Sequence, residues 1–140
     1  MSFTGNWACN SFKTGMMNGT FNFTSGSFKI ALYTNAATLD ATTTQYTAVG
    51  ETSGGNYVAG GQLLTISQVP TTGNSGTTAY ISFGTASWTG AITARGALIY
   101  QAGTNGAVCV LDFGGDKTST LTWVMTFPDP TNTSAIIRIA

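Results

Sequence analysis

Histidine is absent from this sequence, and charged residues are scarce. They make up 7% of the 140 residues, with five Lys and Arg balancing five Asp and Glu. General acid–base catalysis, nucleophile activation and metal binding rely on His, Cys, Asp, Glu and Lys with tuned pKa values. Because these residue types are so few and so scattered, we predict that the protein is not an enzyme and binds no cofactor and no metal ion.

A cluster of basic residues is missing as well. The five are dispersed along a chain with no net charge: Lys13, Lys29, Arg95, Lys117 and Arg138. Binding to nucleic acid or to an anionic membrane surface needs clustered Lys and Arg, so neither partner is expected. A chain without net charge has little electrostatic repulsion between copies, which favours assembly. A neutral surface solvated by Thr, Ser and Asn is the alternative.

Only two cysteines are present, Cys9 and Cys109. They form no C-x-x-C pair and have no histidine beside them, which argues against zinc sites, haem attachment and thioredoxin-type chemistry. We predict two free thiols, with one long-range disulfide as the alternative. Three aspartates lack the spacing of a calcium site, and the kinase-like Asp-Phe-Gly motif lacks its companion motifs, so we interpret them as turn or ion-pairing residues: Asp112, Asp116 and Asp129.

Long apolar runs are also absent. No stretch approaches the roughly 20 apolar residues of a membrane-spanning helix. The N-terminal residues contain neither a basic region nor a continuous apolar stretch, so no signal peptide is predicted. We therefore expect synthesis in a cytoplasm and no membrane partner.

One segment, residues 7–18, has the periodicity of a helix, because apolar side chains recur at intervals of four. Asn10 or Ser11 is expected to cap its start, and Gly19 to end it. We predict that its large apolar side chains pack in the core or over a sheet edge, or that they contact a neighbouring subunit: Trp7, Phe12, Met16 and Met17.

Most of the remaining chain alternates between strand-like runs and turns. The runs with the clearest strand pattern are residues 28–33, 62–67, 79–83, 91–100, 107–112, 121–127 and 134–139. Residues 70–77 are predicted to be a loop. The Asn105-Gly106 pair is a strong hairpin signal, so strands near 92–101 and 107–113 are expected to be antiparallel neighbours.

This pattern contains no alternation of strands with helices. It predicts an all-β fold, an antiparallel β-sandwich or jelly roll with one short N-terminal helix. Residues 1–140 are expected to form a single domain. Its termini would be an N-terminal arm with the short helix over residues 1–20 and a C-terminal strand or arm over residues 128–140.

Arg95 lies within an otherwise apolar predicted strand. A buried charge without a partner costs several kcal/mol, so this side chain must reach solvent or pair with a carboxylate. Asp112 on the predicted neighbouring strand is the candidate for a structural ion pair, and a contact with another subunit is the alternative.

Aromatic residues raise the alternative of a sugar-binding platform. Trp123 lies in a predicted strand whose same-face neighbours indicate a core position: Leu121, Met125 and Phe127. Trp7 is a further candidate, and the positions of Trp88 and Tyr57 beside glycines are harder to predict.

Three segments, spread in order along the chain, carry a family resemblance. They read Glu-Thr-Ser-Gly-Gly-Asn-Tyr-Val-Ala-Gly-Gly-Gln-Leu-Leu over residues 51–64, Ala-Ser-Trp-Thr-Gly-Ala-Ile-Thr-Ala-Arg-Gly-Ala-Leu-Ile-Tyr over 86–100, and Leu-Asp-Phe-Gly-Gly-Asp-Lys over 111–117. Together with the opening Asn-Ser-Phe-Lys of residues 10–13 and Asn18-Gly19, they resemble a family of small virion structural proteins of tailed bacteriophages.

The resemblance implies a non-enzymatic, β-rich capsid decoration or cement protein located on the virion. Its expected partners are the major capsid protein, other copies of itself, or both, and we expect a homo-oligomer on the particle. A tail or neck component and the carbohydrate-binding domain of a tail fibre are the alternatives. The resemblance assigns no binding residues.

Overall fold

A computed structural model describes residues 3–73 and 76–139. Residues 1, 2, 74, 75 and 140, which belong to the predicted terminal segments and to the predicted loop 70–77, lie outside the described residues. The elements, in chain order, are β1 (Trp7–Ala8), α1 (Asn10–Asn18), β2 (Phe28–Tyr33), β3 (Gln62–Leu64), β4 (Ile66–Thr71), β5 (Ala79–Phe83), β6 (Ala86–Thr89), β7 (Ile92–Gln101), β8 (Ala107–Ser119), β9 (Thr122–Met125) and β10 (Ile137–Ile139).

The strands form three antiparallel sheets. The largest has the order β1-β8-β7-β2-β3, the second has the order β10-β5-β4, and the third is the β6-β9 pair. A mostly β structure of antiparallel sheets with one short helix agrees with the predicted all-β class. The predicted hairpin is also confirmed, because β7 pairs with β8 through a turn in which Asn105 has a left-handed φ of 62°.

Helix α1 begins later than the sequence predicts. Residues 7 and 8 pair with β8 as an edge strand, so they cannot be helical. The predicted caps are wrong: Cys9 is the N-cap residue, and the Ser11 hydroxyl instead donates to the carbonyl of Ala107 at 2.7 Å. The predicted end is confirmed, because Gly19 has a left-handed φ of 80° and its N–H donates to the Gly15 carbonyl.

Several strand boundaries also differ from the prediction. The predicted strand 62–67 is interrupted at Thr65, where the chain leaves the five-stranded sheet and enters the three-stranded one. Strand β4 includes Pro70, which the prediction placed in a loop. The last strand begins at Ile137 rather than at residue 134. Strand β8 continues to Ser119 because its second half pairs with the start of β7.

A cluster of phenylalanine rings joins the two larger sheets. Phe28 of β2 stacks on Phe23 with ring centres 4.5 Å apart, and it lies 6.1 Å from Phe83 of β5. Phe83 also contacts Phe127 at 5.7 Å. Burying a phenylalanine side chain stabilises a fold by about 1.5–3 kcal/mol, so this cluster is a major source of cohesion between the sheets.

Two tryptophans occupy the inner face of the β6-β9 pair. Trp88 and Trp123 lie directly opposite each other, and both are buried. The predicted core position of Trp123 is therefore confirmed. The prediction for Leu121 is wrong, because this residue precedes β9 and its side chain is 80% exposed.

Candidate functional site

The structure brings Arg95 and Asp112 together as an ion pair. The Arg95 guanidinium donates to Asp112 Oδ1, and both side chains are largely shielded from solvent. Arg95 sits at an irregularity in the β7-β8 pairing, and its guanidinium lies 5.6 Å from the centre of the buried Phe3 ring. The hydrogen bond from Arg95 lowers the pKa of Asp112, and the Gly114 N–H adds to the effect. The pair thus links β7 to β8, with the ring of Phe3 from the N-terminal segment packed beside Arg95.

A second polar site was not predicted from the sequence. The only glutamate in the chain, Glu51, accepts hydrogen bonds from the hydroxyls of Tyr46 and Tyr57, both at 2.6 Å, and from the N–H of Gly60 at 2.7 Å. Tyr57 Oη also accepts the Leu32 N–H at 2.9 Å. We use the name Glu51 cluster for Glu51 and four tyrosines: Tyr33, Tyr46, Tyr57 and Tyr100.

All four tyrosines of the Glu51 cluster are held in the protonated form. Burial raises the pKa of each, and the negative charge of Glu51 raises it further. Tyr33 donates to the Thr47 carbonyl at 2.7 Å, and Tyr100 donates to the Gly60 carbonyl at 2.6 Å. These hydrogen bonds run from strands of the five-stranded sheet to the long β2–β3 connection. The cluster therefore attaches that connection to the sheet.

The two cysteines are free thiols in the structure, as predicted. Burial raises the pKa of Cys9 to about 12, and burial likewise raises the pKa of Cys109. A thiol needs to ionise before it can act as a nucleophile or a metal ligand. These cysteines are therefore structural residues at neutral pH.

The described part of the chain has neither a metal-binding cluster nor a membrane-spanning helix. Across residues 3–73 and 76–139, no group of three or more His, Cys, Asp or Glu side chains could hold a metal ion. The helix found in that same part of the chain is not long and apolar enough to span a membrane.

Three of the four predicted assembly residues, Trp7, Phe12 and Met16, line grooves between β1, α1 and β10, whereas Met17 on α1 lines neither groove. We call this region the terminal surface and define it by residues of β1, α1 and β10: Trp7, Phe12, Met16, Met17, Ile137 and Ile139. A groove of about 250 Å³ lies between the β1 side and the β10 side, and a smaller apolar groove of about 80 Å³ adjoins it. Phe12 and Ile137 line both grooves.

Individual exposures correct part of the sequence interpretation. Met17 is 91% exposed, whereas Trp7 and Met16 are each 39% exposed and Ile139 is 49% exposed. Phe12 is 7% exposed, so it forms the floor of the grooves rather than a protruding contact. Trp7 belongs to a strand rather than to the predicted helix. The sequence missed Ile137 and Ile139 because only the fold places them beside α1.

A wider cleft of about 460 Å³ lies between the second half of β8 and β9. Lys117 and several hydroxyl side chains line it, together with Phe113 and Trp123. The indole nitrogen of Trp123 is buried without a hydrogen-bond partner. Trp123 is only 7% exposed and Trp88 only 2%, so both side chains are packed largely in the core.

Comparison with known proteins gave a uniform result. No family model, no curated protein and no solved structure matches this chain. The geometry of the chain itself therefore carries the functional argument, together with the sequence resemblance given above.

Proposed function

We propose that this chain is a non-enzymatic structural protein of a bacteriophage virion, a decoration or cement protein that stabilises the head by binding capsid subunits. The resemblance of residues 51–64, 86–100 and 111–117 to small virion structural proteins supports the virion assignment. The terminal surface supports the role in assembly.

The terminal surface is the observation that carries this proposal. Its grooves are lined by the partly exposed apolar side chains of Trp7, Met16 and Ile139 over the buried ring of Phe12. Burying apolar area contributes roughly 25 cal/mol per Å², and contiguous apolar patches on soluble proteins commonly mark interaction sites. By contrast, the Arg95–Asp112 ion pair and the Glu51 cluster make their polar contacts within the chain.

We also propose that the two larger sheets form a β-sandwich. The ring contacts from Phe28 on β2 to Phe83 on β5 support a face-to-face arrangement. Such a core would place the edge strands β1 and β10 side by side at one end, which is where the terminal surface lies. The partners would be the major capsid protein, other copies of the chain, or both, in a homo-oligomer on the virion.

The proposal is tested on purified virions of the phage that encodes the chain. Quantitative mass spectrometry should find many copies per particle, and an electron-microscopy reconstruction should place them on the shell. A few copies confined to the tail would contradict the decoration role. Binding of the isolated chain to host cells or to glycans would instead indicate a receptor-binding domain.

A further inference from the structure

Two edge strands border the groove of about 250 Å³. Strand β1 is the outer strand of the five-stranded sheet, and β10 is the outer strand of the three-stranded sheet. In the part of the chain that the structure describes, each pairs with a neighbour on one side only. The groove therefore lies between two strand edges that belong to different sheets.

The pairing of β1 shows which backbone groups face away from its sheet. Ala8 lies opposite Cys109, and the next residue, Cys9, donates its N–H to the Val108 carbonyl at 2.9 Å. In an antiparallel pair, residues alternate between exchanging hydrogen bonds with the partner strand and pointing those groups outward. The N–H and C=O of Ala8 consequently point away from β8, at an edge with no further strand.

The lining of the groove favours a polypeptide with particular side chains. Its floor includes the buried side chains of Phe12 and Val110. Arg138 is the one charged residue among the described residues that line it, and no carboxylate lies there. An occupant with an apolar side chain for the floor and a carboxylate near Arg138 would complement both features.

We propose that the groove binds an extended segment of a capsid subunit, and that this segment adds as a strand to the outer edge of β1. This inference rests on the proposed function, because it specifies how a capsid partner is held. An extended peptide supplies the hydrogen-bonding groups that the Ala8 backbone needs, and the neighbouring pockets select its side chains. The segment would carry apolar residues and at least one Asp or Glu.

Short edge strands by themselves often prevent pairing with other chains. The terminal surface differs from such protected edges in two respects. Its exposed edge adjoins an apolar floor, and its lining includes Trp7 and Ile137 rather than the lysines or prolines that usually protect an edge. These features favour strand addition.

Ala8→Pro is the variant that tests the edge directly. Proline removes the outward N–H, yet it leaves the hydrogen bonds made by the flanking residues 7 and 9, because the Ala8 N–H does not donate to β8. Ala8→Ser is the matched control that keeps the N–H. Arg138→Glu, with Arg138→Lys as its control, tests the expected carboxylate.

The measurement is the binding of each purified variant to particles that lack the protein, by cosedimentation at increasing concentration. We expect the Kd of Ala8→Pro to rise at least tenfold and that of Arg138→Glu at least threefold, with both controls at the wild-type value. Wild-type binding by Ala8→Pro would overturn the strand-addition proposal and leave the decoration role intact. Absence of the wild-type chain from the shell would overturn both.

A reconstruction of decorated particles decides the matter even if Ala8→Pro fails to fold. Strand density from a capsid subunit beside Ala8 would support the proposal, and an empty edge would overturn it. Light scattering on the isolated chain tests the competing occupant. A dimer that Ala8→Pro dissociates would assign the groove to a second copy and overturn the capsid-strand proposal.

Discussion

The Glu51 cluster and the terminal surface use the same kinds of residue in opposite ways. In the cluster, aromatic side chains surround a carboxylate, and each hydroxyl of Tyr33, Tyr46, Tyr57 and Tyr100 has a partner within the chain. At the terminal surface, Trp7 is partly exposed on the edge strand β1, and Met17 on α1 is 91% exposed. The comparison teaches that the polar groups of the cluster are satisfied internally, whereas apolar side chains and a strand edge near the termini stay exposed.

The largest expected effect tests the Glu51 cluster. The folded chain should lose stability at alkaline pH. The pKa values of the cluster tyrosines are raised in the folded state, so the folded chain keeps protons that the unfolded chain loses above about pH 10. Stability is therefore fully present below that pH and falls as pH rises through the range in which the folded chain still holds those protons. Urea unfolding between pH 8 and 11 measures how the free energy of unfolding declines with pH. This decline should be shallower for Tyr57→Phe than for the wild-type chain. An identical decline in the two would contradict the prediction.

Glu51→Leu should have the next largest effect. The substitution leaves two tyrosine hydroxyls and the Gly60 N–H without their acceptor, and unsatisfied buried groups cost about 1–3 kcal/mol each. We expect the free energy of unfolding to fall by about 3 kcal/mol, measured by chemical denaturation at pH 7. Asp129→Asn, at an exposed position, is the control and should change stability by less than about 0.5 kcal/mol.

Arg95→Met should be milder. It removes the partner of Asp112 and the cation beside Phe3, and we expect a loss of about 1–2 kcal/mol because both charged side chains are only partly exposed. A double-mutant cycle with Asp112→Asn separates the pair energy from other losses. A lower melting temperature with unchanged association is the expected result, and altered association would assign Arg95 to a subunit contact.

Met17→Ser tests the terminal surface. Its expected effect on the free energy of unfolding is the smallest of these variants. The side chain is 91% exposed, so the free energy of unfolding should change by less than about 0.5 kcal/mol. Binding to particles should weaken all the same, because the partner loses an apolar contact. A loss of stability without a loss of binding would show that Met17 serves the fold rather than assembly.

Local sequence signals were enough to predict the parts of the fold that depend on short-range chemistry. The β7-β8 hairpin follows from Asn105-Gly106, and β2 and β5 have the predicted bounds because their apolar residues alternate. The end of α1 follows from Gly19. These features are decided by the residues that form them.

The remainder depends on contacts between distant residues. The Glu51 cluster joins a loop carboxylate to tyrosines from β2, β7 and the loop, and no spacing in the sequence indicates that meeting. Strand β1 forms only because Val110 and Cys109 lie beside it. Likewise, Ile137 and Ile139 belong to the terminal surface because β5 holds β10 there. The predicted hairpin places Arg95 and Asp112 on neighbouring strands, so their proximity could be predicted from the sequence.

The burial of the two thiols has a consequence for how the chain responds to oxidising surroundings. With the pKa of Cys9 at about 12, on the order of 1 in 10⁵ of the Cys9 side chains is ionised near pH 7. The covalent structure should therefore be the same in a reducing cytoplasm and in oxidising surroundings. A thiol reagent would then modify the cysteines only when the chain unfolds, so the rate of modification would report on the rate of unfolding.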